Sequence, residues 1–281
     1  MNYSKVEVKE QLVKRATAFG NGSVVFTPKA WRGREVIVIL PKKSLSVEES
    51  ALQLIQPSLK NIVGVFFAGS YARNEMEKDS DVDLIIATDR KIKIKEKENF
   101  HVQYIELEQL KNSLKENPIE FYPMLLEAKS LINEKLLQEL KGIEIDFKKF
   151  NWFLETTESA LKVVKELIEM EKIEGKKFSE STASVYSLIL RLRGIYLIEC
   201  ILRKKPYSNK SFREFIKKKS GIKEKIVSQI YEVYRKERDE KKAKALISLE
   251  ELEKLFGFVQ EQLNEIKGKI HERQEKIKEK H

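Results

Sequence analysis

Gly69-Ser70-Tyr71-Ala72-Arg73-Asn74-Glu75, followed by Asp79-Ser80-Asp81-Val82-Asp83-Leu84, joins a sharp glycine turn to two carboxylates one residue apart. Ahead of it, Ile62-Val63-Gly64-Val65-Phe66-Phe67-Ala68 is a short apolar run of strand type, and Val82 to Ala87 reads as a second strand. The frame is therefore strand, turn, helix, strand, with the helix expected from about Ala72. At Gly69-Ser70 the chain must change direction while exposing backbone N–H groups, and glycine lets that backbone approach a phosphate unobstructed. Ser70 adds a hydroxyl donor. A helix beginning at Ala72 would bring its positive end and Arg73 to the same place, which makes Gly69, Ser70 and Arg73 candidate nucleotide-binding residues.

Asp81 and Asp83 sit on one face of the second strand, while Val82 and Leu84 face the core. Two like charges in one small space are unfavourable unless a cation bridges them. Hard oxygen ligands, with phosphate oxygens completing the shell, suit Mg2+. Asp81 and Asp83 are thus candidate metal ligands and candidate catalytic residues.

In this order and spacing the string resembles the signature of the nucleotidyltransferase superfamily, the DNA polymerase beta-like fold. The resemblance implies that Gly69 and Ser70 hold the triphosphate of an NTP such as ATP and that Asp81 and Asp83 ligate metal. Small members typically read Ala-Arg-Gly-Glu where this chain has Ala72-Arg73-Asn74-Glu75. Active members also carry a third carboxylate on a later strand, here Phe100 to Leu107, and the aligned position is read as Gln103. Glutamine is no base and a poor metal ligand. Glu106 is the nearest acid but is out of phase with Gln103 on an alternating strand.

The chain has 281 residues, enough for two or three small domains, and a formal charge of +10 that implies anionic company. Charged residues make up 35% of it, with few Gly and Pro, a balance that resembles thermophile composition. The single cysteine, Cys200, lies in an apolar helix and can form no disulfide within the chain, so a buried thiol and a cytoplasmic setting are expected. Met1-Asn2-Tyr3-Ser4-Lys5 has no apolar signal-type core, and the longest apolar stretch, Val185 to Leu202, is broken by Arg191, Arg193 and Glu199. No membrane association is expected.

Three segments follow, giving an α+β protein: a basic β module at 1–45, a nucleotidyltransferase domain at 46–145 and a helical bundle at 146–281. Residues 1–45 hold nine Lys/Arg against three Glu. Strands are expected at Gln11 to Phe19, Ser23 to Phe26 and Glu35 to Leu40, with a turn at Gly20-Asn21-Gly22 and a buried run from Gly33 to Pro41. Ala18 to Lys29 followed by Gly33-Arg34-Glu35-Val36 resembles the AbrB-like swapped-hairpin module, which implies a homodimer and DNA or RNA contact through basic loops. The alternative is a β extension packed on the neighbouring domain. Pro41 to Leu45 reads as a linker, Val47 to about Lys60 as a helix capped by Ser46, and Lys91 to Asn99 as an exposed hairpin tip.

Beyond Ile145, Phe150, Phe153, Leu154, Thr157, Leu161, Val164 and Ile168 keep one helical face apolar, and Leu252, Leu255, Val259, Leu263, Ile266 and Ile270 do so in a last helix opened by Ser248 and Glu251. Ser184 to Leu202, apolar nearly all round, should be central, with Ser211 to Lys219 and Lys223 to Lys242 completing four or five helices. This half resembles the HEPN-like or substrate-binding helical domains that accompany nucleotidyltransferases. The Arg-x4-6-His pair of HEPN ribonucleases is missing, so RNase activity is not expected. Arg191 and Arg193 either pair with Glu199 or another core acid, or point into the cleft. Tyr231, Tyr234, Arg235 and Arg238 either line an acceptor site or form the core and surface of one amphipathic helix.

The sequence thus supports a metal-dependent nucleotidyltransferase moving a nucleoside monophosphate from an NTP to a protein, RNA or small-molecule acceptor. The alternative is a catalytically weak member of the fold acting as a regulatory or antitoxin-like DNA- or protein-binding protein.

Overall fold

The computed structural model describes residues 16–36, 38, 46–76, 80–92, 99–179, 181–243 and 246–279. The chain divides into two compact units, Met1–Ser46 and Val47–His281. In the first, β1 (Thr17–Phe19) and β2 (Gly22–Val24) pair antiparallel with Phe19 opposite Gly22, so the turn is Gly20-Asn21, with Gly20 at φ +55° where glycine is least strained. Both strands are shorter than expected, although residues 11–15 lie outside the described residues. A turn of 3-10 helix covers Lys29–Trp31. The strand expected at Glu35 to Leu40 falls partly on undescribed residues, and its described positions carry no strand. Nor are the described positions of the Gly33 to Pro41 run buried: Val36 is 45% and Val38 71% exposed, while residues 37 and 39–41 lie outside the described residues. Among the described residues of this unit these two three-residue strands are the only sheet, too small to bury a core by itself. The Pro41 to Leu45 linker lies outside the described residues.

The second unit opens with α1 (Val47–Ile55), which narrows into a 3-10 segment, Gln56–Asn61, where Pro57 lacks the N–H an α-helix needs. The expected single helix to Lys60 is therefore split. Then follow β3 (Ile62–Ala68), α2 (Gly69–Ala72), β4 (Val82–Thr88), β5 (Phe100–Glu106), α3 (Leu107–Glu116), α4 (Pro118–Glu127), β6 (Lys129–Ile132) and α5 (Glu134–Lys141). The sheet order is β5-β4-β3-β6, with β3 antiparallel to β4 and β6. β4 and β5 run parallel, so these two strands are not a hairpin, and residues 93–98 of the expected Lys91 to Asn99 tip lie outside the described residues.

Alternation along the strands divides the sheet into two faces. Val65, Phe67, Val82, Leu84 and Ile86 pack with Ala51 and Ile55 of α1. Phe66, Ala68, Ile85 and Ala87 join Leu110, Leu114, Tyr122 and Leu125 of α3 and α4. That second cluster does not stop at the sheet. It continues through Phe150 into α6 (Asn151–Ile173), α7 (Thr182–Leu202), α8 (Asn209–Lys219), α9 (Glu224–Arg238) and α10 (Leu249–Lys278). α7 is the central helix, as its all-round apolar sequence requires. A two-residue ribbon, β7 (Phe178–Ser179) with β8 (Ile247–Ser248), leads into α10, whose first turn is capped by Ser248 Oγ accepting from the Glu251 N–H at 3.3 Å. Architecture is α+β, with a four-stranded mixed sheet and a helical C-terminal half.

Because one apolar cluster runs from sheet to bundle, removing a ring at the junction should weaken both together. Phe150→Ala is expected to cost about 3–5 kcal/mol. Urea denaturation followed by circular dichroism should show a lower midpoint, still in one transition; two separated transitions would contradict a shared core.

Candidate active site

Backbone register seats the turn against the carboxylate. Ala68, the last residue of β3, is opposite Asp83 of β4, and the next residue, Gly69, has φ +62°. A Cβ at position 69 would lie 1.8 Å from Asp83 Oδ2, so position 69 admits only glycine on two independent grounds, its backbone angle and its contact. The helix that follows is a single turn beginning at Gly69, not a longer one from Ala72. Arg73 N–H donates to Gly69 O at 3.2 Å and Glu75 N–H to Ser70 O at 2.8 Å, and Asn74 then enters the left-handed region at φ +57°. Asn74 takes this φ with little penalty and is steadied by Lys129 Nζ, which donates to its Oδ1 at 2.9 Å. One turn supplies no extended helix dipole. The first-turn amides have no partner within the helix, and the Ser70 hydroxyl stands beside them.

The Gly69 amide points inward. It donates to Glu127 Oε1 at 2.9 Å, and the same oxygen accepts from Arg73 Nη1 at 2.7 Å. Arg73 Nε donates to Glu75 Oε2 at 2.9 Å, and Glu75 in turn accepts from the N–H groups of Asn209 and Lys210, each at 3.3 Å. Arg73 thus spends its guanidinium on carboxylates that fix the turn. Burial is the strongest influence on Glu127 and raises its pKa in spite of Arg73 and the Gly69 N–H. Arg73 is also buried, yet Glu127 and Glu75 outweigh that and hold its pKa above the ordinary value.

The network continues into the bundle. The Arg73 and Arg193 guanidiniums lie 5.7 Å and 5.1 Å from the centre of the Tyr207 ring, and Arg193 Nε donates to Tyr207 Oη at 3.3 Å. Tyr207 and Tyr231 hydroxyls both donate to Asn209 Oδ1, at 2.8 and 3.1 Å. Neither α7 arginine pairs with Glu199, which is held by Arg203 and Lys269 at 2.5 and 3.1 Å. Arg193 faces the turn, and Arg191 donates to Thr156 Oγ1 at 3.2 Å over the Phe153 ring. Tyr231 and Tyr234 are buried. On the other side of the sheet the Tyr71 hydroxyl donates to Glu48 of α1, and burial together with that carboxylate pushes its pKa up to about 12.

Asp81 is exposed just before β4, while Asp83 is one-third exposed between the buried Val82 and Leu84. Beside Asp83 on β5 stands His101, its Nδ1 3.2 Å from Asp83 Oδ1. Gln103 is instead registered with Ile85, one step further along the same face. The residue flanking the Asp pair is therefore His101 and not Gln103. Only the parallel sense and register of β4 and β5 reveal this. Glu106 pairs with Thr88 on the opposite face, as its phase requires. Among the described residues no three His, Cys, Asp or Glu side chains converge to hold an ion by themselves. The donor chemistry nevertheless fits a divalent cation whose shell is completed by a phosphate-bearing substrate, the usual arrangement where one or two carboxylates are available.

Glu75 ties the turn to α8, and its protonation should loosen that tie. Burial alone would raise its pKa, but Arg73 and the Lys210 and Asn209 N–H groups more than offset it and hold the carboxyl below its usual value. The unfolded chain therefore binds more protons than the folded one in this window. The resulting stability is full above the ordinary glutamate pKa of about 4.3 and is lost as pH falls through the depressed folded value. Glu75→Gln should lower stability at neutral pH, with the gap to wild type closing below about pH 4. Urea midpoints across pH check this, and a gap independent of pH would contradict it.

Residues 49–177, from α1 to just past α6, match the family model described as a nucleotidyltransferase domain. No curated protein matches the chain. A solved nucleotidyltransferase-like protein from Exiguobacterium sibiricum resembles it at 10% identity, covering 78% of each chain with a TM-score of 0.38. No helix among the described residues is long and apolar enough to cross a membrane. The family match begins beyond the basic N-terminal segment and ends inside the helical half, and the Gly69 turn, Asp81, Asp83 and His101 all lie within the residues that match it.

Proposed function

We propose that the protein transfers a nucleoside monophosphate from an NTP to an acceptor oxygen. The observation that carries this reading is the seating of Asp83 directly against Gly69, at the mouth of a one-turn helix that offers Ser70. Carboxylate and phosphate-binding turn share one small space, so a triphosphate bound at the turn brings its α-phosphate next to Asp83. The acceptor oxygen attacks the α-phosphorus, the bond to the bridging oxygen of the β-phosphate breaks, pyrophosphate leaves, and the acceptor proton passes to solvent or a nearby base. Asp81 and Asp83 would hold a divalent cation that would neutralise charge at the α-phosphate, and Mg2+ is an ion that carboxylate and phosphate oxygens suit. Ser70 orients the phosphates, while Arg73 and Glu127 keep the turn in register with β4.

The acceptor belongs to the bundle side. A groove of about 590 Å3 there has Tyr196, Phe215, Arg203, Lys210, Lys218 and Lys269 among its lining, and one of its walls is α8, whose first amides hold Glu75. Glu199, Glu214 and Glu265 also line it, with Arg203 and Lys269 paired to Glu199, so Lys210 and Lys218 with the rings of Tyr196 and Phe215 are the groups that suit an anionic acceptor with a flat ring, such as an RNA end.

With NTPs labelled separately at the α- and γ-phosphates and an extract as source of acceptor, α-label is expected to move and γ-label is not. Asp83→Asn should reduce transfer by at least about 100-fold. Transfer of γ-label, or full activity in Asp83→Asn, would overturn the proposal.

A further inference from the structure

The side chain flanking Asp83 is an imidazole. His101 is registered with Asp83 across the parallel β4–β5 pair, so both project from the same face of the sheet. Its Nδ1 lies 3.2 Å from Asp83 Oδ1, and the ring is 63% exposed and open to a ligand. Two neighbouring ligands of an octahedral ion with bonds of about 2.1 Å lie about 3 Å apart. The pair can therefore share one cation with almost no adjustment. Asp83 is braced from behind by Gly69, and Phe100 and Val102, on either side of His101, pack into the cluster beneath α1. Both donors are held by strands and not by loops, which keeps the spacing fixed.

Imidazole changes what the site prefers. Mg2+ takes oxygen ligands and gives up water reluctantly, whereas first-row transition ions bind imidazole nitrogen increasingly well from Mn2+ to Cu2+. A histidine at this position also brings no negative charge of its own.

We propose that His101 is a ligand of the divalent cation at the Asp83 site and that it tilts the site toward Mn2+ or Co2+ and away from Mg2+. This inference rests on the nucleotide-site reading above. Position 101 is exposed, so its substitution leaves the fold intact.

The test uses the full chain, Mn2+ and an α,β-methylene analogue of ATP, observed by pulsed electron paramagnetic resonance. Wild type should show nitrogen coupling to the bound Mn2+, absent from His101→Ala and from His101→Asp. The Mg2+ concentration needed to displace half the Mn2+ should fall at least tenfold in His101→Asp. Mn2+ bound without nitrogen coupling, yet lost in Asp83→Ala, would overturn the role of His101 while leaving the nucleotide site standing. Nitrogen coupling that survives in His101→Ala would overturn it equally. Failure of wild type to bind Mn2+ with the analogue would overturn both.

Discussion

A side chain at position 69 has nowhere to go. With φ at +62° and Asp83 Oδ2 occupying the space a Cβ would need, the end of β3 is welded to the start of β4 by close contact. Everything of chemical interest follows from that contact. It holds Asp83 at the mouth of the turn and turns the Gly69 amide toward Glu127. Glu127 is an expensive partner, being a buried carboxylate whose pKa is raised by its surroundings. It is tolerated because Arg73 and a backbone donor meet the same oxygen.

The same network explains why the helical half cannot be treated as an appendage. Glu75 reaches the first amides of α8, and Tyr207 accepts one guanidinium from the turn and another from α7. The apolar cluster runs without a break from Phe66 in the sheet to Leu192 in the central helix. Polar joint and apolar core therefore link the same two parts of the molecule. Within the N-terminal unit, taken by itself, Phe19 and Val38 are largely exposed.

Much of this was legible in the chain. The run Ile62 to Ala68 gave its strand to the residue, Val82 and Leu84 alternate into the core as their phase requires, and the stripe from Phe150 to Ile168 faces inward. What escaped reading was long-range. His101 could not be paired with Asp83 without the parallel sense of β5, which a polar stretch ahead of Phe100 disguises as a hairpin. Glu127 lies 58 residues from Gly69, and nothing local marks it as the partner of a turn amide. The single-turn helix reads as a longer one because Tyr71-Ala72-Arg73 has acceptable helix propensity, whereas Asn74 ends it in the left-handed region. α4 is obscured by Pro118 and Pro123, whereas α3 and α5 are short amphipathic helices that their spacing could have revealed.

The account turns on whether the space shared by the turn and Asp83 receives a triphosphate together with a cation. Calorimetric titration of a non-hydrolysable NTP analogue, with and without divalent metal, into wild type and Asp83→Ala tests this most directly. Binding that requires metal and disappears in Asp83→Ala is the predicted result. Equal binding by both proteins, or none by wild type with metal present, would contradict it.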